Sequence, residues 1–271
     1  MPTTTRGVLL PITRAGIAVL FVLAVANGVF LYCFPAQGAT NYAWSIKPPI
    51  AAAFLGAGYL AGAVATGLII FFARRWRSAQ PLGLSLAVLS VLLLGATYIH
   101  RVKFKFHYAP TWGWVVVYAI APFAIAALMV HQRRLADVPR AQDRLRTLRA
   151  VSLVAGVVLV LGATALYLSP VGLGKHWPWP LTPLLARATA SWYAMVGVAL
   201  LWSAAGLREP TEAFVPYATL GAWSALLLAL PALHPDDLKP TGAALIVYLA
   251  GMAVLLAIAA YGVARSERSP L

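Results

Sequence analysis

The sequence predicts an all-α integral membrane protein whose eight transmembrane helices form two parallel four-helix repeats, related by a pseudo-two-fold axis along the membrane normal. The first observation is composition: 61% of the 271 residues are hydrophobic and only 10% are charged, which excludes an ordinary soluble domain. The others are a set of long apolar segments and a match between the two halves of the chain. The apolar segments do not alternate in polarity, so a β-barrel is disfavoured.

Eight apolar segments approach or exceed the length of about 20 residues that a helix needs to cross the hydrocarbon core of a bilayer. None of them contains Asp or Glu. The first segment, with Arg6 and Arg14 before it, could also be a signal peptide, but its length and its match to the fifth segment predict a retained helix. The predicted spans are 15–34, 50–73, 82–99, 112–131, 150–169, 184–206, 213–233 and 242–264.

The second half of the chain matches the first at a nearly constant offset. Matched Trp, Tyr, Pro and His residues are hard to obtain by chance in so apolar a sequence. The predicted repeats span 1–134 and 150–271, joined by a basic cytoplasmic linker over 135–149. Each repeat has an even number of spans, so both insert in the same sense. Matched residues include Leu31-Tyr32 with Leu166-Tyr167, Trp44 with Trp179, Pro48 with Pro183, Leu92 with Leu226 and His100 with His234.

Charge predicts the orientation. With both termini inside, most basic residues lie in cytoplasmic segments, which satisfies the positive-inside rule and indicates the cytoplasmic membrane of a bacterium. The net charge of +14 then reflects topology, and we do not expect nucleic acid as a partner. Arginines beside the cytoplasmic helix ends are expected to attract anionic lipid headgroups. These are Arg74, Arg75, Arg77, Arg133 and Arg134.

Four of the five histidines fall in outer segments, together with several tryptophans. Imidazole is the commonest metal ligand, and His100 and His234 are matched in the repeat, so they are candidate ligands for a metal, a haem or a quinone. No close metal-binding spacing occurs in the sequence. The alternative is an interfacial belt, because Trp, Tyr and His are enriched at membrane surfaces.

Trp44 and Trp179 each stand four residues before a proline, at the outer ends of the second and sixth spans. Proline fits the first turn of a helix, where its missing N–H leaves no bond unmade. The tryptophan before it would anchor the helix end at the headgroup level. Ligand binding at these ends is the alternative, because helix N-termini attract anions.

Arg187 lies about one turn after Pro183, inside the outer end of the sixth span, where the first repeat has Ala53. A charge in hydrocarbon costs between about 3 and 17 kcal/mol, so it needs a partner or access to water. The sequence leaves three interpretations: an anionic ligand or lipid headgroup, an ion pair with Asp236 or Asp237, or snorkelling to the interface.

The segment before this arginine reads Trp177-Pro-Trp-Pro-Leu-Thr-Pro-Leu-Leu-Ala-Arg187, and Leu233-His234 closes the seventh span. It resembles uncharacterised bacterial polytopic membrane proteins with a W-x-L-T-P-L-x-x-R-type element. The resemblance covers the second repeat well and the first loosely, since Ala53 replaces the arginine there. It implies no named activity, but it implies that the arginine belongs to a recurring pattern.

The sequence lacks the motifs of several classes of membrane transporter and enzyme, which makes those functions less favoured. The spans lack the intramembrane carboxylates of coupled transporters, and the chain has no P-loop or other familiar catalytic motif. We therefore expect a non-catalytic membrane subunit or scaffold that packs against lipids and against partner proteins or further copies of itself. The first alternative is an uncoupled transporter or channel for a small neutral or anionic solute. The second is a cofactor-binding membrane redox subunit.

Overall fold

Among the residues that the computed structural model describes, eight helices are long and apolar enough to cross a membrane, as the sequence predicts. The structure describes residues 9–72, 76–133, 143–240 and 242–267. A ninth helix of only five residues, which the sequence does not predict, follows the fifth of the long helices. In chain order the helices are α1 (Pro11–Cys33), α2 (Pro49–Phe72), α3 (Gln80–Ile99), α4 (Ala109–Arg133), α5 (Arg146–Leu168), α6 (Pro170–Gly174), α7 (Pro183–Gly206), α8 (Phe214–Leu233) and α9 (Ala243–Arg265).

Proline begins several of these helices. Pro11 begins α1, Pro49 begins α2 and Pro183 begins α7. In the first turn the missing proline N–H removes no intrahelical hydrogen bond. The hydroxyl of Thr182 caps α7 by accepting a hydrogen bond of 3.3 Å from the backbone N–H of Leu185. The prolines thus set where the helices start.

Helices α2 and α7 form the centre of the bundle. In the most apolar stretch of each helix, 61% of the residues of α2 and 67% of those of α7 are buried. The corresponding share is 17% in both α1 and α4. Around this centre, α1 packs on α2 and α5 packs on α7. Helix α3 packs on both α4 and α7, and α8 packs on both α9 and α2.

Close approach at glycines fixes the antiparallel register of α1 and α2. Gly28 lies against Leu60, and Gly67 lies against Phe21. At Gly56 a Cβ atom would come within 2.5 Å of the backbone nitrogen of Tyr32. The two backbones can be this close only because α2 presents no side chain there.

The helix termini define two ends of the bundle. The histidine end is where α1, α3, α5 and α8 finish, and it carries His100, His107, His176 and His234. The arginine end is the opposite one, and it carries Arg77, Arg146, Arg149, Arg208 and Arg265.

Candidate functional site

A cavity of about 530 Å³ lies between α1, α2, α3, α4, α7 and α8. It extends from Asn41 near the histidine end to Ser78 and Ser203 near the arginine end. Every described residue that lines it is uncharged, and most are apolar. The chain therefore encloses a neutral, mainly apolar space over much of the length of its spans.

Most hydroxyl groups in this lining are bonded to their own helix. Thr66 donates to the carbonyl of Gly62 at 2.7 Å, and Ser85 donates to the carbonyl of Leu82 at 3.0 Å. Ser90, Ser203 and Thr219 bond in the same way to the preceding turn. These side chains have used their single O–H donor, so they offer the cavity only acceptor oxygens.

Three phenols in the lining form what we call the tyrosine chain: Tyr42 and Tyr118, which are buried, and Tyr59, which is half-buried. The hydroxyl oxygens of Tyr42 and Tyr59 are 3.3 Å apart, and those of Tyr59 and Tyr118 are 2.7 Å apart. Burial, followed by the nearby Tyr118, raises the pKa of the Tyr42 phenol, so it stays protonated. Three O–H donors make two hydrogen bonds, so one of the three donors has no acceptor among the described residues.

Helices α1 and α4 both line the cavity, and we call the weakly packed space between them the lateral opening. Helix α1 packs chiefly on α2, and α4 packs chiefly on α3, so no extensive contact joins α1 to α4. Two lining residues on these helices, Leu23 and Val117, remain 38% and 37% exposed. By contrast with α1 and α4, helices α5 and α9 pack against each other. Helix α5 is also joined to α8 in the interior, by the hydrogen bond between Ser152 and Tyr217.

Trp44 and Trp179 are buried within the protein. Trp44 is 2% exposed, and its ring centre lies 4.8 Å from that of Trp114. Trp179 is 0% exposed and lies 5.3 Å from Tyr248. The segment before α2 folds back over the bundle, where Trp44 forms an isolated β-bridge with Phe104. Neither indole lines the cavity.

Arg187 points from α7 towards the ends of α3 and α5. Its Nη1 donates a hydrogen bond of 2.8 Å to Nε2 of His100, and its guanidinium lies 5.8 Å from the ring centre of Tyr167. Arginine has no acceptor, so Nε2 must accept. Burial, then the charges of Arg187 and Lys103, lower the pKa of His100 below its ordinary value of 6.5. His100 is therefore neutral at pH 7.

His234 has a different neighbour. Its Nδ1 lies 3.9 Å from Oδ2 of Asp237, and the same oxygen accepts a hydrogen bond of 2.8 Å from the backbone N–H of Ile50 at the start of α2. Asp237 therefore caps α2 and does not pair with Arg187, and Asp236 is exposed. No group of three His, Cys, Asp or Glu residues within the described ranges could hold a metal ion. A cofactor role for His100 and His234 stays a prediction.

The predicted lipid-contacting arginines fall partly on residues that the structure does not describe, namely Arg74, Arg75 and Arg134. Arg133 is the last residue of α4. Arg77 is mostly buried in an ion pair with Glu212, and its Nη2 also donates to the carbonyl of Gly206 at 2.8 Å. Its charge is thus already compensated, which leaves less of it for a lipid headgroup.

Comparison with known proteins yields no family assignment. No protein-family model matches the chain. Neither a curated protein nor a solved structure matches it. Function is therefore inferred from the residues themselves.

Sequence reasoning missed the cavity and the tyrosine chain. The only feature of the sequence that points to the tyrosine chain is that Tyr59 and Tyr118 each place a hydroxyl group within an apolar segment. Tyrosine is common in membrane helices near interfaces, so that signal does not by itself indicate a binding site.

Proposed function

We propose that this protein binds a small, neutral, mainly apolar molecule inside the membrane and carries it without coupling to an ion gradient. The uncharged cavity is the observation that supports this function best. Its volume of about 530 Å³ falls within the range of roughly 300–1,000 Å³ typical of small-molecule sites. A charged ligand would lose its hydration there without gaining a partner.

The tyrosine chain specifies one polar feature of the ligand. Since one phenol donor has no acceptor among the described residues, the complementary group is an acceptor such as a carbonyl or ether oxygen. A buried donor without an acceptor costs roughly 1–3 kcal/mol. A ligand that supplies the oxygen relieves this cost, whereas a hydrocarbon of equal size does not.

The lateral opening between α1 and α4 supports entry from the lipid. An apolar molecule partitions into the bilayer before it meets the protein. Leu23 and Val117 line the cavity and are also exposed, so they would form the sides of this entrance.

Absence of charge in the lining favours the uncoupled, neutral form of transport over the anionic form. The eight helices contain no Asp or Glu, which coupled transporters usually place in the membrane. Arg187 does not line the cavity, so it does not select an anion there. The scaffold hypothesis stays a proposal that the same experiment separates from this one.

The duplicated architecture also stays a proposal, and matched hydrogen bonds between the two halves support it. Tyr32 donates to the carbonyl of Leu226 at 3.1 Å, and Tyr167 donates to the carbonyl of Leu92 at 2.8 Å. The sequence alignment pairs Tyr32 with Tyr167 and Leu92 with Leu226. Each half therefore makes the same contact with the other, as expected for a pseudo-two-fold axis.

Loop contacts at the histidine end repeat in the same way. The backbone N–H of Lys105 donates to the carbonyl of Ala43 at 2.9 Å, and that of Lys239 donates to the carbonyl of Pro178 at 2.8 Å. Both lysines stand five residues after the matched histidine, and both acceptors immediately precede the matched tryptophan. We place the histidine end outside the cytoplasm and both termini inside, in a bacterial cytoplasmic membrane, on the charge rule.

The test is to identify small molecules that remain with the protein purified in a mild detergent. Mass spectrometry of an organic extract would be compared for the wild type, Gly62→Leu and Gly251→Leu. Gly62 lines the cavity, and a Cβ there meets nothing closer than 3.9 Å, whereas Gly251 is exposed on α9 with no atom within 4 Å. We expect a neutral oxygen-containing molecule near one equivalent in the wild type and Gly251→Leu, and its loss in Gly62→Leu.

Other outcomes would favour the alternatives. Stoichiometric co-purifying proteins together with no bound molecule would support the membrane-subunit hypothesis. A visible spectrum or a metal that disappears in His100→Ala would support the redox hypothesis. Equal content of the molecule in the wild type and in both glycine variants would contradict the cavity as its site.

A further inference from the structure

Arg187 carries a charge that the described part of the chain does not neutralise. No carboxylate oxygen there lies within 4.0 Å of its nitrogens, by contrast with Arg77 and Arg144, which both form ion pairs. Its bonded neighbour is the neutral His100. Its Nε is buried and has no hydrogen-bond partner. A guanidinium has five N–H donors, and among the described residues only one of them, on Nη1, has an acceptor.

Charges around Arg187 favour an anion as well. Lys103 is exposed and stands three residues after His100, and the guanidinium of Arg101 lies 5.5 Å from the ring centre of Tyr98. The only acidic residues in the segments at this end are Asp236 and Asp237. Lysine and arginine outnumber these two carboxylates in the same segments, so this end of the bundle is net positive.

The side chains beside this charge are apolar and exposed. Ile99 at the end of α3 is 51% exposed, and Leu168 at the end of α5 is 74% exposed. The guanidinium lies between these two helix ends, because it contacts His100 and Tyr167. A soluble phosphate ion would gain nothing from such side chains, whereas the acyl chains of a lipid would cover them.

We propose that Arg187, assisted by Lys103, binds the phosphate group of an anionic phospholipid whose acyl chains lie along the ends of α3 and α5. A guanidinium binds phosphate through two parallel N–H bonds. The ring of Tyr167 and the Nε2 of His100 hold the guanidinium in one orientation, while the hydroxyl of Tyr167 is used by the carbonyl of Leu92. This site is separate from the cavity.

The experiment is native mass spectrometry of the delipidated full chain in detergent, titrated with phosphatidylglycerol or with phosphatidylcholine of the same acyl chains. Phosphatidylcholine carries the same phosphate, but its quaternary ammonium group cancels the charge, so we expect about ten-fold tighter binding of the anionic lipid. Arg187→Gln should abolish this preference. Lys47→Gln, which removes an exposed charge at the same end, should retain it.

Each remaining outcome contradicts the proposal. Equal binding of the two lipids by the wild type would contradict the proposed selection of an anionic lipid, and an unchanged preference in Arg187→Gln would exclude Arg187 as the residue that selects it. Displacement of the lipid by a millimolar excess of inorganic phosphate would identify a soluble anion as the ligand. If Arg187→Gln does not fold, Arg187→Lys keeps the charge but loses the paired donors, and an undiminished preference in that variant would also overturn the proposal.

Discussion

The guanidinium of Arg187 fixes the tautomer of His100. Their hydrogen bond of 2.8 Å can form only when Nε2 of the histidine is unprotonated, because arginine donates and never accepts. The proton of the neutral imidazole then lies on Nδ1. A second proton on this ring would break the bond and place two positive charges side by side.

Acidification should therefore destabilise the protein through His100. Its pKa in the folded state lies below 6.5, so the unfolded chain binds more protons as the pH falls through 6.5, and stability falls with it. Above pH 6.5 the ring is neutral in both the folded and the unfolded state, so His100 adds no pH dependence to the stability there. We expect the thermal midpoint in detergent to fall less steeply with pH in His100→Gln, and His176→Gln, at an exposed position, to follow the wild type. Parallel profiles for all three proteins would refute this.

Asp237 should stabilise the start of α2. Its carboxylate accepts the backbone N–H of Ile50 at 2.8 Å, and loss of such a helix cap costs about 1 kcal/mol. We expect Asp237→Ala to lower the free energy of unfolding by about that amount. Asp236→Ala, at the adjacent exposed position, should change it by less than about 0.5 kcal/mol. Denaturant titration of the two variants would compare them, and equal effects would exclude the capping role.

The buried ion pair at the arginine end should contribute more to stability than an exposed one. Glu212 is 5% exposed and pairs with Arg77, and removal of one partner of such a pair costs about 3–5 kcal/mol. The side chains of Arg144 and Glu267 form a pair that is 49% and 55% exposed, which is worth at most about 1 kcal/mol. Unfolding of Glu212→Ala and Glu267→Ala would be compared. A larger loss in Glu267→Ala would contradict this prediction.

Helix α2 should tolerate alanine at one glycine and not at another. A Cβ at Gly56 would lie 2.5 Å from the backbone nitrogen of Tyr32, whereas a Cβ at Gly62 meets nothing closer than 3.9 Å. Overpacking of this kind costs about 1–3 kcal/mol or more. We expect Gly56→Ala to lower the thermal midpoint and Gly62→Ala to leave it unchanged or to raise it. Equal midpoints of the two variants would contradict the close approach of the α1 and α2 backbones at Gly56.

Tyr32 and Tyr167 should make equal contributions to stability. Each phenol donates to a leucine carbonyl in the other half of the chain, and such a bond is worth about 1 kcal/mol. The phenylalanine variants should each lose about that amount, and the double variant should lose the sum, because the two bonds share no partner. Denaturant titration of the three variants would measure this. A cost confined to one tyrosine would weaken the proposed pseudo-symmetry.

The membrane spans were predictable because their signals are local. The sixth predicted span, 184–206, is α7 (Pro183–Gly206) in the structure. An apolar segment and a proline in its first turn determine such an element without information from the rest of the chain. Helix α6 was missed because five residues are too few to show a helical period.

The cavity and its polar groups depend on which helix faces meet, and a single sequence does not carry that information. Tyr59 and Tyr118 are 59 residues apart, and Arg187 and His100 are 87 residues apart. Asp236 and Asp237 were plausible partners for Arg187 because the sequence places all three residues at the same membrane surface. The structure uses Asp237 at α2 instead, since the last turn of α8 ends beside that helix and not beside α7.

An uncharged cavity has an electrical consequence. The membrane potential does work of about 2.3 kcal/mol per elementary charge for each 100 mV crossed, and this work is zero for a neutral molecule. No group in the cavity lining would carry a gating charge across the field either. If the protein is the carrier that we propose, energised and de-energised cells would move its ligand at the same rate, and only the concentration difference would set the direction.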